Sequence, residues 1–162
     1  GKTAVLNHLV PGSAGRPAAT TGHTKKTAKI WDTKWSLLEL GGSVMGRELW
    51  RTHTSRADGI VFVVDAADEG RLEESMNELA RLYSGDETTG TAPLGDVPLL
   101  VLANKQDEEG AVEADVIESR EEVVELTTEK QVLASCARTG QNLGPGLVWL
   151  TEQIQKQMEG AE

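Results

Sequence analysis

Two long apolar runs, each followed at once by polar residues, constrain the fold of this chain more than any other feature. They are DGIVFVVDAAD at 58–68 and VPLLVLANKQD at 97–107. Strands that read as continuous apolar runs, without alternation, are typical of parallel sheets whose two faces are both buried. The sequence therefore predicts a parallel sheet, with the 58–68 run as a central strand.

Segments with helical spacing of apolar residues alternate with strand-like runs along the rest of the chain. Helices are predicted at 3–10, 69–83, 113–126 and 144–158, and further strands at 25–31, 34–40 and 130–137. The first two of these strands form a hairpin, which we expect Trp31 and Trp35 to brace. The last helix is expected to open at Pro145. This order predicts an α/β fold: a doubly wound, mostly parallel sheet with helices on both faces.

Size, charge and cysteine usage narrow the classes of protein. A chain of 162 residues fits one domain, 1–162. Its formal net charge of -10 repels phosphate backbones and anionic lipid, so nucleic acid and polybasic membrane docking are disfavoured. Cys136 is the one cysteine, which excludes an intrachain disulfide and fits a reducing compartment. The expected location is the cytosol.

Polar stretches follow four of the predicted strands. They are GGS at 41–43, DAAD at 65–68, NKQD at 104–107 and SCA at 135–137. In doubly wound sheets, ligands bind in the loops at the carboxyl ends of the strands. The sequence therefore predicts that these stretches converge on one binding site.

The chain opens with GKT, which matches the end of the phosphate loop G-x-x-x-x-G-K-[ST]. In that motif, backbone N–H groups cradle phosphates, the lysine, here Lys2, meets the terminal phosphates, and the hydroxyl of Thr3 holds Mg2+. Because such a loop follows a strand, we expect an apolar strand and the rest of the loop to precede Gly1. An ordinary chain terminus is the alternative interpretation.

The NKQD stretch has the chemistry to recognise guanine. The Asp107 carboxylate can accept hydrogen bonds from both the ring N–H and the exocyclic amine of guanine, whereas adenine offers the wrong pattern. Lys105 would lay its stem against the base, and the backbone N–H of Ala137 could support it. The alternative interpretation of NKQD is a solvated loop.

Other candidate side chains have weaker signals. Thr20 and Thr21 could close a loop on Mg2+ and a terminal phosphate, and Glu39 could reach a metal-bound water. The alternatives are a polar loop and an acid that caps a strand. The three histidines lack metal-ligand spacing and are assigned surface or packing roles, and Cys136 is assigned a structural one.

The order of these motifs resembles that of the Ras-superfamily small GTPases. TTGHT at 20–24, ELGGS at 39–43 and LWRTH at 49–53 resemble the Arf and Arf-like branch, as do GIVFVVDAAD, VLANKQD and GLVWL. The similarity covers nearly the whole chain, and the stretch NKQDEEGAVEADVIE is similar to that of ciliary Arf-like members.

The resemblance implies that the chain binds GTP and GDP with Mg2+. It also implies two switch segments, about 17–30 and 41–56, which bind protein effectors together with the hairpin between them. The nucleotide contacts that it implies are Gly1, Lys2, Thr3, Thr20, Gly42, Asn104, Lys105, Asp107, Ser135, Cys136 and Ala137, and the metal contacts are Thr3, Thr20 and Glu39.

The chain departs from the Arf pattern at positions that matter for catalysis. Glu39 replaces an aspartate, and Ser43 replaces the glutamine that orients the attacking water. A short hydroxyl cannot replace that amide, so we expect slow intrinsic hydrolysis and assign no catalytic residue. Ala19 and His23 replace a proline and an aromatic residue in the first switch segment, so the effector surface is expected to differ.

Three functions remain open on these residues. The first is a GTP-dependent switch, favoured by the intact NKQD. The second is a pseudo-GTPase that acts as a scaffold in a larger protein assembly, favoured by Glu39 and Ser43. The third is a phosphate-loop kinase, which shares GKT but needs no guanine-recognition motif. Endomembrane or cilium are alternative locations, and membrane attachment would depend on residues preceding Gly1.

Overall fold

The computed structural model describes residues 1–10, 22–47, 49–85, 87–88 and 92–161. The strands of this described part are β1 (His23–Ile30), β2 (Thr33–Leu40), β3 (Ile60–Asp65), β4 (Leu99–Asn104) and β5 (Lys130–Ala134). The helices are α1 (Lys2–Leu9), α2 (Val44–Arg47), α3 (Trp50–Thr54), α4 (Leu72–Ser84), α5 (Ala114–Glu118), α6 (Glu121–Val124) and α7 (Leu143–Gly160), with a 3-10 turn at Glu69–Arg71. Strands β1 and β2 form an antiparallel hairpin, and β3, β4 and β5 form a parallel sheet in that order.

Strand β4 separates two hydrophobic cores, because successive side chains of a strand point to opposite faces of the sheet. Leu99, Val101 and Ala103 pack into one core with residues of α4, α5 and α6. Leu100 and Leu102 pack into the other core with residues of α1 and α7. All six residues of β4 are buried. Helices therefore cover both faces of the parallel sheet, which confirms the predicted fold class.

Within the described residues, β3 does not occupy the central position predicted for it. Strand β3 lies at the edge of the three-stranded sheet, and β4 occupies the centre. In the described part of the chain, β3 pairs only with β4, and Val61 is 36% exposed. The apolar run of β3 reflects the burial of its side chains. Val64 is buried in the first core, and Phe62 packs against that core. The residues that cover the two faces of a strand do not determine which strands pair with it along its edges.

The turn of the β1–β2 hairpin lies one residue earlier than the predicted strands, 25–31 and 34–40, imply. Ile30 pairs with Thr33, so the turn consists of Trp31 and Asp32. Trp31 has a positive φ of 54° and is 56% exposed, so the bracing role predicted for it is wrong. Trp35 instead packs against the second core, which anchors β2 to the body of the domain.

Two predicted helices differ from the observed ones. Helix α7 begins at Leu143, two residues before Pro145, and Asn142 precedes it in a left-handed conformation with φ of 58°. The Asn142 side-chain amide donates to the Ala134 carbonyl at 2.7 Å, which ties the helix start to the end of β5. The 113–126 segment is two short helices, interrupted where Arg120 adopts extended backbone. Among the described residues, no helix is long and apolar enough to cross a membrane.

Candidate functional site

The carboxyl ends of β2 to β5 and the start of α1 bring the predicted site residues together. The Thr3 hydroxyl donates to the Glu39 carboxylate, and Lys2 lies beside Gly42. A Cβ on Gly1 would lie 3.0 Å from the Asn104 side-chain amide, so the chain start faces the NKQD stretch. Thr20, with its neighbours Ala19 and Thr21, falls outside the described residues. The other candidates form one continuous cluster.

Thr3 and Glu39 provide oxygen ligands of the kind that Mg2+ prefers. Glu39 is only 8% exposed, and its hydrogen bond with Thr3 joins α1 to β2. No group of three or more His, Cys, Asp or Glu side chains suited to a metal occurs within the described residues. Proteins commonly bind Mg2+ through one or two protein oxygens together with substrate phosphates and water, so this pair fits such a site.

Lys2 extends from the start of α1 toward the glycine pair that follows β2. A Cβ on Gly42 would lie 2.7 Å from the Lys2 ammonium nitrogen. Burial lowers the pKa of Lys2, Arg47 lowers it as well, and the nearby Glu39 carboxylate opposes both effects. Among the described residues Lys2 has no ion pair, and a half-buried cation of this kind favours the approach of an anionic ligand.

Gly41 and Gly42 are held by three segments. The Gly41 N–H donates to the Gly22 carbonyl at 2.8 Å, and the Trp50 indole N–H donates to the Gly41 carbonyl at 2.8 Å. The Arg47 guanidinium donates to the Gly42 carbonyl at 3.1 Å. The Trp50 ring meets Phe62 of β3 edge-on, with centroids 5.9 Å apart. The glycine pair is therefore fixed to the first switch segment, to α2 and to α3.

Ser43 has a structural role that the sequence-based interpretation missed. Its hydroxyl accepts a hydrogen bond from the Gly46 N–H at 3.2 Å, as an N-cap does at the start of α2. Serine is among the preferred residues at this position, and an apolar residue, Val44, follows it. That local signal was present in the sequence. Ser43 therefore caps a helix where the Arf pattern has a water-orienting amide.

Replacing Gly46 with alanine is expected to destabilise this region. A Cβ at position 46 would lie 2.6 Å from the Gly41 carbonyl oxygen, so backbone must move. Overpacking of this kind costs about 1–3 kcal/mol, and the melting temperature of a chain of this size falls by about 2–4 °C for each kcal/mol. Gly144→Ala, which meets nothing within 4 Å, is the matched control. Equal melting temperatures for the two variants would contradict the clash.

Arg47 connects α2 to α4. Its guanidinium lies 2.7 Å from the Glu74 carboxylate and 3.6 Å from that of Glu78. The hydrogen bond from Arg47 lowers the pKa of Glu74, and its positive charge acts in the same direction. Because Arg47 also donates to the Gly42 carbonyl, its side chain joins the glycine pair to α4.

Asn104 links the two loops that follow β4 and β5. Its side-chain oxygen accepts from the Ala137 N–H at 2.9 Å and from the Ser135 hydroxyl at 3.4 Å. Asn104 is 3% exposed and Ser135 is fully buried, so these bonds form away from water. The NKQD and SCA stretches are thus one unit, which the spacing of the motifs alone does not reveal.

Lys105 adopts a backbone conformation that is unfavourable for a lysine. Its φ is 70°, in the left-handed region, which costs about 1–2 kcal/mol for a residue with a Cβ. Its ammonium nitrogen lies 2.8 Å from the Asp65 carboxylate at the end of β3. The hydrogen bond from Lys105 to Asp65 raises the pKa of the lysine. Strain of this type persists where surrounding contacts determine the conformation, and it is common at binding sites.

Asp107 presents a carboxylate whose two oxygens have different partners. The Cys136 thiol lies 3.2 Å from Oδ1, and the Arg138 guanidinium lies 2.8 Å from Oδ2. Cys136 is 1% exposed, as its structural assignment requires, and it also contacts the site. Arg138 was not among the predicted residues, although it directly follows SCA. The hydrogen bond from Cys136 lowers the pKa of Asp107, assisted by Arg138 and Lys105.

The sequence matches the ADP-ribosylation factor family over residues 1–154. That span includes every element of the cluster and most of α7. The chain belongs to the ADP-ribosylation factor family. The resemblance to the Arf and Arf-like branch, drawn from the motifs, is therefore confirmed.

Curated relatives of this Arf-family chain include the ADP-ribosylation factor-like proteins 4D. The protein from Bos taurus is 43% identical over 137 residues, which covers 83% of this chain and 62% of the relative. The protein from Homo sapiens is 42% identical over 137 residues, with the same coverage of 83% and 62%. The chain thus spans about three fifths of the length of these relatives.

Solved structures similar to this Arf-family chain include the Arl6 BBS3 small GTPase from Trypanosoma brucei, solved with the bound nucleotide analogue GppNp. It superposes with a TM-score of 0.80 at 28% identity and covers 96% of this chain and 91% of that one. The mammalian SRP receptor structure superposes with a TM-score of 0.76 at 20% identity, which shows the shared fold alone.

The histidines of this Arf-family chain occupy surface or packing positions, as expected: His8 and His23 are exposed, and His53 is half-buried. His23 of β1 and His53 of α3 lie ring against ring, with centroids 4.8 Å apart. A Cβ on Gly140 would lie 2.1 Å from the His8 ring, so His8 packs on the loop before α7. The His23–His53 contact joins the two predicted switch segments.

Proposed function

We propose that this Arf-family chain is a guanine-nucleotide switch that binds GTP and GDP with Mg2+ and hydrolyses GTP slowly without help. The observation that carries the proposal is the Asp107 carboxylate at the end of the NKQD stretch, which the Cys136 thiol and the Arg138 guanidinium hold in place. Its two acceptor oxygens match the ring N–H and the exocyclic amine of guanine. The Trypanosoma brucei neighbour was solved with a guanine nucleotide analogue.

The phosphate end of the proposed site is formed by Gly1, Lys2, Thr3 and Gly42. Lys2 supplies positive charge toward the terminal phosphates, and Thr3 and Glu39, joined by Thr20, would hold Mg2+. The metal would neutralise phosphate charge there. Placing Lys2 beside Gly42 supports this assignment, because it puts the cation at the start of the second switch segment.

Slow hydrolysis follows from the role of Ser43. Its hydroxyl accepts the Gly46 N–H, and its side chain is too short to reach past the helix end to a water. The side chains that the described part of the switch segment offers near Gly42 are the capping Ser43 and the ion-paired Arg47. These described side chains include no amide that could position the attacking water, which supports slow hydrolysis.

Protein effectors are proposed to bind the switch segments and the hairpin between them. Val44, Met45 and Leu49 are 72%, 84% and 37% exposed, and they project from α2 and the turn after it. On the hairpin, Leu38 and Trp31 are 37% and 56% exposed. Clustered exposed apolar residues mark protein-interaction surfaces. The net charge of -10 argues against nucleic acid as the partner.

A pseudo-GTPase that acts as a scaffold is the second candidate function. The observation that favours it is the commitment of Ser43 to a helix cap, which gives the second switch segment a fixed structure without a catalytic group. In that case the exposed apolar residues would bind neighbouring subunits of a larger assembly. We propose a cytoplasmic location for either function, with endomembrane and cilium as alternatives.

Nucleotide content separates the two functions. The full-length protein is incubated with GTP and Mg2+ for hours, freed of unbound nucleotide and denatured, and the released bases are separated by chromatography. Retained GTP is the expected result for the slow switch. Substantial conversion to GDP contradicts slow hydrolysis, and a folded protein without nucleotide supports the scaffold.

A further inference from the structure

We propose that Arg138 is a positioning residue for base recognition, which holds the Asp107 carboxylate in the orientation that guanine requires. The inference rests on the proposed function, since it concerns how the same site recognises its base. Arg138 follows β5 and Asp107 follows β4, so their 2.8 Å contact joins the two loops at their outer end. Asn104 joins the same loops at their inner end, through the Ala137 N–H.

The hydrogen-bonding capacity of the carboxylate supports this role. Each oxygen of an ionised carboxylate offers two lone-pair directions. Cys136 occupies one direction on Oδ1, and Arg138 occupies one on Oδ2. These two contacts leave one acceptor direction on each oxygen, although the backbone N–H of Asp107 also lies against the carboxylate. Guanine presents two parallel donors, the ring N–H and the exocyclic amine, which match two adjacent acceptors.

The two partners fix different degrees of freedom. The Cys136 thiol is buried, so it anchors Oδ1 from inside the fold. A single weak donor leaves the carboxylate free to rotate about that contact. The planar guanidinium of Arg138 holds Oδ2 from the solvent side and prevents this rotation. Without Arg138, one oxygen stays in place for the ring N–H, but the second acceptor for the amine is lost.

Stability alone does not account for the Arg138–Asp107 pair. The Arg138 side chain is 77% exposed, and ion pairs at such positions contribute little to folding stability. Both Cys136 and Arg138 also keep the carboxylate ionised, because each lowers the pKa of Asp107. Ionisation matters here, since a protonated carboxyl would present a donor toward the two donors of guanine.

The test compares GDP with inosine diphosphate, whose base lacks the exocyclic amine. Dissociation constants are measured with the full-length protein and Mg2+ for wild type and Arg138→Ala. We expect the preference for GDP over inosine diphosphate to fall roughly tenfold in the variant, the scale of one hydrogen bond to a charged group. The affinity for inosine diphosphate should change much less. Loss of Arg138 should also move the acidic limit of GDP binding to higher pH.

Two further variants make the result specific. Arg138→Lys keeps the charge without the planar fork, so it should restore the pH limit more fully than the base preference. Arg81→Ala removes an exposed, ion-paired arginine of α4, outside the site and both switch segments, and should change neither. In an Asp107→Ala background, Arg138→Ala should have no further effect, because the group that it positions is gone.

The outcomes separate this inference from the proposed function. An equal loss of both nucleotides, or an additive effect in the Asp107→Ala background, would show that Arg138 only supports the loop and would overturn the inference. An unchanged or higher preference for GDP would overturn it as well. A folded wild-type protein that binds neither nucleotide would overturn the proposed function and, with it, this inference.

Discussion

Replacing Asp107 with asparagine is expected to lower the affinity for GTP by about 10⁴-fold, the scale at which a site built on hydrogen bonds rejects a mismatched ligand. An asparagine offers one acceptor and one amide donor where the carboxylate offers two acceptors. The amide donor then faces the exocyclic amine of guanine, so two donors meet. Xanthine carries a carbonyl oxygen in place of that amine, so xanthosine triphosphate should become the better ligand.

Competition between the two triphosphates measures this change directly. Wild type and Asp107→Asn, as full-length proteins with Mg2+, are titrated with GTP and with xanthosine triphosphate against one labelled nucleotide. Asp115→Asn is the matched control, because Asp115 is an exposed acid at the start of α5 whose carboxylate bonds the Val116 N–H. An Asp107→Asn variant that keeps the wild-type preference for GTP over xanthosine triphosphate would remove Asp107 from base recognition.

Replacing Ser43 with glutamine is expected to accelerate intrinsic GTP hydrolysis by about 10²-fold, the typical cost of misplacing a reacting group by 1 Å. The longer amide can reach a water beside the terminal phosphate, which the capping hydroxyl of Ser43 cannot do. The same change removes the bond from the Gly46 N–H, and loss of an N-cap costs about 0.5–2 kcal/mol. The variant should therefore be faster and less stable at once.

Single-turnover hydrolysis and thermal unfolding, measured on the same preparations, test both effects. Ser43→Ala is the matched control, because it loses the cap without gaining an amide. It should show the lower melting temperature of Ser43→Gln but the slow hydrolysis of wild type. Equal hydrolysis rates for the alanine and glutamine variants would show that position 43 does not limit the reaction.

The fold class could be predicted from the sequence because strands that are buried on both faces consist mainly of apolar residues. The first five of the six buried residues of β4 are an unbroken apolar run, and the observed β4 pairs on both edges. The run at β3 looks the same, yet β3 lies at the edge in the described part of the chain. The hydropathy of a strand reflects what covers its two faces, whereas its place in the sheet depends on the path of the segments that connect the strands.

The candidate site was predictable where a residue type is tied to a motif, as for Lys2, Thr3 and Asn104. Contacts between distant loops were not predictable in the same way. The pairing of Arg138 with Asp107 spans 31 positions and depends on the relative height of two loops above the sheet. The capping role of Ser43 is different, because a serine directly before an apolar residue is a local signal for a helix start. Comparison with the glutamine of the Arf pattern does not use that signal.

The hydrogen bonds around the glycine pair set how the second switch segment can respond. Gly22, Arg47 and Trp50 contact Gly41 and Gly42 from three separate parts of the chain. A displacement of the glycine pair therefore has to break or rearrange contacts with all three residues. Packed contacts of this kind favour discrete arrangements over gradual deformation. We therefore expect the second switch segment to change between discrete conformations. A partner that binds at any one of the three contacts should then affect the other two.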